Sequence, residues 1–419
     1  MTDQPWKTDS WFTSPWNFVD EARAGLNFSP QIKIHDVTLR DGEQQAGIEF
    51  TRDDKIRIAE ALAEAGVHRI EAGLPAVSPA DEAAVREIVK RNLGPQVFAF
   101  ARCMIEDVKL AADCGATGVV MEIPSSPHII QYAYRWPLER AVEASIKTTA
   151  YAHELGLEVV FFPIDFSRAD FDWVLNLLTR VANEGHMDAL VLVDTFGVLA
   201  PQAIPNVVKQ VRSRIPDKRL EVHGHMDYSL GVANTLAALG AGVEVAHTTI
   251  TGIGERSGNT PMEDVVMALK TLYAVDIGIK TEHLTGLSEL VRDLAHVPVV
   301  PNRGIVGSQV YDIESGIIAS WFKNCGQEYL TEVFPYRPEL VGQRAPQVVL
   351  GKNSGIDSIA IWLDRLGLQA DEQQRLEMLG RVKTRSLEKK ALLTETEFSE
   401  IVKQVMNVPA PALSSGSAV

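Results

Sequence analysis

At 419 residues the chain is too long for one small domain and suits one large barrel with an appendage. A hydrophobic content of 46% supports a sizeable core and excludes global disorder, and a net charge of −15 argues against a general nucleic-acid binder, which needs clustered Lys and Arg. The three cysteines (Cys103, Cys114, Cys325) are scattered without C-x-x-C spacing, which excludes a disulfide framework or zinc ribbon and fits a reducing cytoplasm.

The N-terminus, MTDQPWKTDSWF, lacks a basic start followed by an apolar run, so no signal peptide is expected. No run of about 18 apolar residues suggests a membrane span, so no membrane partner is expected either. Residues 1–30 read as an arm: polar, but carrying Trp6, Trp11 and Trp16. It either packs on the body of the protein or on a neighbouring subunit, or stays loosely ordered.

From Gln31 the chain alternates short β-branched runs with amphipathic stretches. The runs are IKIHD (32–36), HRIEAG (68–73), VFAFAR (97–102), GVVMEI (118–123), EVVFFP (158–163), LVLVDT (190–195), LEVHGH (220–225) and EVAHTT (244–249). Between them, Ile56, Ile58, Ala59, Leu62 and Ala63 recur at roughly helical spacing. Thr51 and Ser78 are placed as N-caps, each followed by acidic residues that suit the helix dipole. Eight strand–helix units predict an α/β fold, a (β/α)8 TIM barrel over 31–280, in preference to a doubly wound open sheet. A smaller, mostly helical region is expected over 281–406, and a disordered Pro/Ala/Ser-rich tail over 407–419.

In such a barrel, functional groups gather where strands end. The first strand leads into Arg40, Asp41 and Gln44. The third ends in Arg102, the fourth in Glu122, the sixth in Asp194 and Thr195, the seventh in His223 and His225. The eighth runs towards GIGERSGN, closing on Asn259. Residues i and i+2 of a strand face one side, so both imidazoles project together. Two neutral imidazoles and a carboxylate leave open positions on a divalent ion. The plain alternative is a pair of core histidines; the strand-end position and the nearby Asp41 favour ligation. Arg40 is suited to gripping a carboxylate or stabilising an enolate oxygen, or else forms an ordinary ion pair. Gln44 either orients water or substrate, or only stabilises its loop. Gly252, Gly254 and Gly258 would let backbone approach a ligand such as a cofactor, although the spacing is not the dinucleotide fingerprint.

The runs DVTLRDGEQQAGIEF, EVHGHMDYSLGVANTLAALGAG and GIGERSGN together resemble the metallolyase barrel family. That family includes 2-isopropylmalate, homocitrate and citramalate synthases and 3-hydroxy-3-methylglutaryl-CoA lyase. The resemblance spans roughly residues 30–365. It implies a divalent cation (Mg, Mn or Zn) on Asp41, His223, His225 and Asn259, Arg40 on a 2-oxo acid, and Thr195 on the substrate carboxylate. PNRGIVGSQVYDIESGI and VVLGKNSGIDSI resemble segments of the synthase branch. The implied activity is that of an acyltransferase of amino-acid biosynthesis, cytoplasmic and homodimeric, condensing an acyl-CoA with a 2-oxo acid. The alternatives are a lyase working in reverse and a CoA-independent pyruvate aldolase.

Leu74, Arg102, Glu122 and Arg135 are expected to set acceptor choice. Four positions depart from the family pattern: Ile318 and Asn353 stand where synthases carry His, Ile164 where the fifth-strand motif has Glu, and Met226 where the H-x-H-N-D motif has Asn. The base is left open among Tyr311, Glu314, His128 and Tyr336.

Overall fold

A computed structural model of the chain describes residues 4–326 and 328–407. Eight parallel strands close into a barrel: β1 (Lys33–Asp36), β2 (Arg69–Glu71), β3 (Gln96–Arg102), β4 (Gly118–Pro124), β5 (Glu158–Ile164), β6 (Ala189–Asp194), β7 (Arg219–Gly224) and β8 (Val245–Thr248). Closure is made by β1 against β8, with His35 opposite His247. All eight fall within a residue or two of the β-branched runs, and the open-sheet alternative is excluded.

The expected caps are in place. Thr51 and Asp54 form a reciprocal capping box at the helix Arg52–Glu64, and the Ser78 hydroxyl accepts from Asp81 N at 3.1 Å. Such caps contribute about 1 kcal/mol each. The helix Arg52–Glu64 buries Ile56, Ile58, Ala59 and Leu62, the apolar stripe of its sequence.

The interior departs from the Val/Ile/Leu filling usual in such barrels. A column of buried charged and polar groups runs through it. Arg69 donates to Glu221 (2.8 Å) and Glu158 (2.7 Å). Glu221 meets His247 Nε2 at 2.8 Å, and His247 stacks on His35 with ring centroids 4.4 Å apart. His35 Nε2 lies 3.1 Å from Glu71, which holds Arg40 Nε. Each charge has a partner of opposite sign, the condition for burying it.

By contacts the chain divides into two units: 14–299 with 304–306, and residues up to Thr13 with 300–303 and 307 onwards. This differs from the sequence division at 30 and 280. The arm is split between units. Lys7 pairs with Glu332 at 2.7 Å and Trp11 bridges to Tyr336 within the second unit, whereas Asn27 N donates to Gly240 O at 2.7 Å within the barrel unit. The helix Leu284–Ala295 belongs to the barrel unit.

The second unit is mostly helical, with helices Gly316–Cys325, Ile356–Arg365, Glu372–Lys389 and Glu395–Met406 beside a short parallel pair, β9 (Asp312–Ile313) and β10 (Gln347–Val348). Its core joins Val348, Ile359, Trp362, Met378, Phe398 and Val402. The expected disordered tail, beyond Asn407, lies outside the described residues. Among the described residues no helix is long and apolar enough to cross a membrane.

Candidate active site

The chain after β1 turns sharply. The carbonyl of Val37 accepts from the amides of Arg40, Asp41 and Gly42 (3.2, 2.9 and 3.0 Å), which sets Arg40 and Asp41 into the barrel mouth. From across the barrel, His223 in β7 and His225 just past it present Nε2 atoms 3.3 Å apart. Asp41 Oδ2 stands 3.4 Å from His223 Nε2 and 3.9 Å from His225 Nε2. All three side chains are buried, and the pairing of i and i+2 on one side holds as expected.

Three ligand atoms each about 2.1 Å from one ion lie about 3.0 Å apart across a right angle and about 3.4 Å across a tetrahedral one. The His223–His225 and Asp41–His223 separations match the tetrahedral value, and the 3.9 Å from Asp41 to His225 corresponds to a wider angle of about 136° at one small cation. The protonation states fit as well. Burial holds His223 below its ordinary pKa and His225 down at about 4, so both imidazoles are neutral near neutrality. Burial pushes the Asp41 carboxyl up, but Arg40 and His223 overcome it and hold the group ionised. Neutral imidazoles and a carboxylate are the forms that bind metal.

Asn259 is also brought to the cluster. Its Nδ2 donates to Asp41 Oδ1 (3.0 Å) and to Ile253 O (3.2 Å). Its Oδ1 is buried without a partner, an acceptor free for a cation or water. The loop carrying it folds over β7: Met226 N donates to Gly258 O at 3.0 Å. The loop glycines answer to this packing. A Cβ on Gly258 (φ +81°) would run into Gly252 O, and one on Gly254 (φ +147°) into Asn259 Nδ2. Neither they nor Gly252 line the cavity at the site, and the contacts that constrain them lie within the loop itself.

Arg40 donates through Nη1 to Asp41 Oδ2 at 2.8 Å and through Nε to Glu71. Its plane lies over Phe100, 4.1 Å from the ring centroid. Nη2 is buried and unpartnered. Glu71 is pushed up by burial but pulled down to about 2 by Arg40 and His35. Sequence reasoning missed Glu71, although Arg69 and Glu71 obey the same i, i+2 parity that singled out His223 and His225.

A cavity of about 150 Å³ opens above the cluster. Gln44, Glu122 and Thr195 line it with Arg40, Asp41 and the two histidines, and Phe100, Phe162, Ile164 and Val193 form its apolar wall. Thr195 Oγ1 accepts from Asp165 N at 2.8 Å. Burial raises the Glu122 carboxyl, to which Tyr134 donates.

Arg102, Arg135 and Leu74 are not on the wall. Arg102 is captured by Asp107 (2.7 and 3.0 Å) and its side chain is 46% exposed; Arg135 is exposed. His128 is exposed beside Tyr132. Within the second unit, the Tyr311 hydroxyl donates to Tyr336 O (3.2 Å) and Glu314 accepts from Asn353 N (2.9 Å). Ile318 packs against that unit's apolar core, which explains an aliphatic residue there.

A family profile described as HMGL-like matches residues 31–291. The homocitrate synthase of Methanopyrus kandleri is 36% identical over 389 residues, covering 93% of this chain and 96% of the relative. The 2-isopropylmalate synthase and (R)-citramalate synthase of Methanocaldococcus jannaschii are 34% and 36% identical, covering 93% and 84% of this chain and 74% and 70% of theirs. Among solved structures, the HMG-CoA lyase of Bacillus subtilis superposes with a TM-score of 0.59 at 21% identity, over 66% of this chain and 98% of the lyase. At that identity the likeness concerns the fold alone.

Proposed function

The chain belongs to the HMGL-like family, and from that premise we propose that it condenses an acyl-CoA, acetyl-CoA foremost, with a 2-oxo acid. The products are CoA and a 2-hydroxy di- or tricarboxylic acid, as the names of its synthase relatives suggest. Asp41, His223 and His225 hold a divalent cation (Mg, Mn or Zn), with Asn259 beside them. The observation that carries this reading is the trio of ligand atoms within 3.9 Å of one another beneath a cavity whose wall includes Arg40.

When bound, such a cation supplies Lewis acidity to a chelating ketone. The remaining work falls to the chain. Arg40 has its Nε and Nη1 occupied by carboxylates and its Nη2 free, so one donor is fixed in direction towards oxygen that gains charge during attack. Fixing it beforehand removes the cost of orienting a flexible side chain during reaction. The Thr195 hydroxyl, held by the Asp165 amide, keeps a proton to donate to the acceptor's carboxylate. Gln44 lines the same space and orients the acceptor. Phe100, Phe162 and Val193 exclude water from the reacting face. A base takes a proton from the acyl methyl, and the C–H electron pair forms the new bond to the keto carbon while the carbonyl π pair moves to its oxygen, which takes up a proton as the hydroxyl; water then adds to the thioester carbonyl and the thiol of CoA leaves, giving the free carboxylate.

The reading extends to a homodimeric, cytoplasmic enzyme of amino-acid biosynthesis. Free-thiol release over a panel of acyl-CoAs and 2-oxo acids, with and without chelator, tests it. Release that requires both substrates and stops with chelator is expected. CoA-independent aldol cleavage, or cleavage of a hydroxyacyl-CoA without any condensation, would replace it with another reaction.

A further inference from the structure

The cavity wall is uneven in charge. Among the described residues, Arg40 is the only arginine or lysine on it, beside the imidazoles of His223 and His225, and Arg40 is already shared between Glu71 and Asp41. Of the arginines in the neighbouring loops, Arg102 is held by Asp107, Arg168 by Asp165 and Arg256 by Asp227, while Arg135 is exposed and off the wall. Two further carboxyls, Glu122 and Glu255, face the cavity. The apolar part of the wall is Phe100, Phe162, Ile164 and Val193, and Gln44, Thr195, His223 and His225 complete it.

The volume is also restrictive. A cavity of about 150 Å³ is the size that encloses a single benzene ring, about six heavy atoms. A three- or four-carbon 2-oxo acid is of that order; a five-carbon dicarboxylate is well above it.

From this wall we propose that the acceptor is a short 2-oxo monocarboxylate with a neutral side chain, and that Glu122 is the residue that turns away acceptors bearing a second carboxylate. The inference rests on the condensation reading above and narrows its substrate class. The acceptor's own carboxylate takes the Thr195 hydroxyl, and its keto oxygen takes the free Nη2 of Arg40. A second carboxylate would then lie against Phe100, Phe162 and Ile164 without a counter-ion, beside Glu122. Desolvated like charges without a counter-ion are strongly disfavoured. The Tyr134 hydroxyl bond fixes the Glu122 carboxyl, so it does not simply swing aside.

Calorimetric titration of the Mg-loaded protein with pyruvate, 2-oxobutyrate and 2-oxoglutarate, run beside thiol release with acetyl-CoA, tests it. The expected result is that pyruvate or 2-oxobutyrate binds at least about 100-fold more tightly than 2-oxoglutarate. Glu122→Gln should narrow that gap by about tenfold or more, through tighter binding of the dicarboxylate. Equal or tighter binding of 2-oxoglutarate by the wild type overturns the proposal, as does an unchanged gap in a folded E122Q. The wild-type arm needs no variant, so misfolding of E122Q leaves the comparison standing. Selective binding of the short acids without thiol release would support the pocket assignment and sink the condensation reading instead.

Discussion

Asp41 Oδ2 stands 3.4 Å from His223 Nε2, although the two residues enter the site from β1 and β7, the first and the seventh strand of the barrel. Nothing local holds them together; barrel closure does. With β1 paired to β8 and β8 to β7, the ends of the first and seventh strands become neighbours around the mouth.

Arg40 depends on Glu71 for its direction. Glu71→Ala leaves a buried guanidinium with one acceptor fewer, and breaking a buried pair costs about 3–5 kcal/mol. Urea unfolding should show a loss of that order. Glu71→Gln should recover part of the stability while kcat/KM stays reduced by about 100-fold, the loss typical of a misdirected oxyanion donor. Wild-type kcat/KM in a folded E71Q would show that Arg40 needs no anchor.

Two of the three arginines expected from sequence to touch substrate, Arg40 and Arg102, should separate sharply. Arg40→Lys loses the planar fork that serves Glu71, Asp41 and the cavity at once. A fall in kcat/KM of about 100-fold is expected. Arg102→Ala breaks only a half-exposed pair with Asp107 away from the wall, and kcat/KM should stay within about threefold. Steady-state kinetics of both variants decides this; a large KM increase in R102A would place Arg102 on the substrate.

The buried column gives the metal-free protein an acid-sensitive stability. Burial, with help from His35, holds His247 at about 4, and burial holds His225 at about 4, whereas an unfolded histidine titrates near 6.5. Below about 6.5 the unfolded chain takes up protons that the folded chain refuses. The stabilisation is therefore full above 6.5 and is lost as pH falls towards 4, with a slope of about 1.4 kcal/mol per pH unit for each such histidine. Glu71, down at about 2, adds a second loss that starts only below about 4.5. Denaturant unfolding of chelator-treated protein from pH 7.5 to 4.5 measures the first window. Asp36, whose carboxyl burial raises to about 7, opposes one histidine's share over the same window, so a net fall of about one histidine's slope is expected; a profile that is flat or rises between 6.5 and 4.5 would mean that these imidazoles are not buried neutral.

The barrel was legible because β-branched runs and helical stripes alternate eight times, and the metal trio because strand parity puts His223 and His225 on one side. The column from Arg69 to Arg40 was not, since its members sit singly within short apolar runs and their partners lie on distant strands, as with Arg69 and Glu221. Arg102 looked like a substrate ligand at a strand end; Asp107, in the next helix, draws it aside. Phe100 and Phe162 lie inside strand runs, and sequence alone does not show which strand residues border a void. The loop glycines stand out in the sequence as a Gly-rich run, and the pressure on them visible in the structure comes from the loop's own carbonyls and Asn259.

Equilibrium binding of Mn²⁺ to chelator-treated protein, followed by the loss of the free-ion paramagnetic resonance signal, tests the site most directly. One tightly held ion per chain is expected for the wild type, and none for His223→Ala, His225→Ala or Asp41→Asn in protein that remains folded. Binding of equal strength and number in those variants, or no binding by the wild type, would contradict a cation centre at the mouth of this barrel.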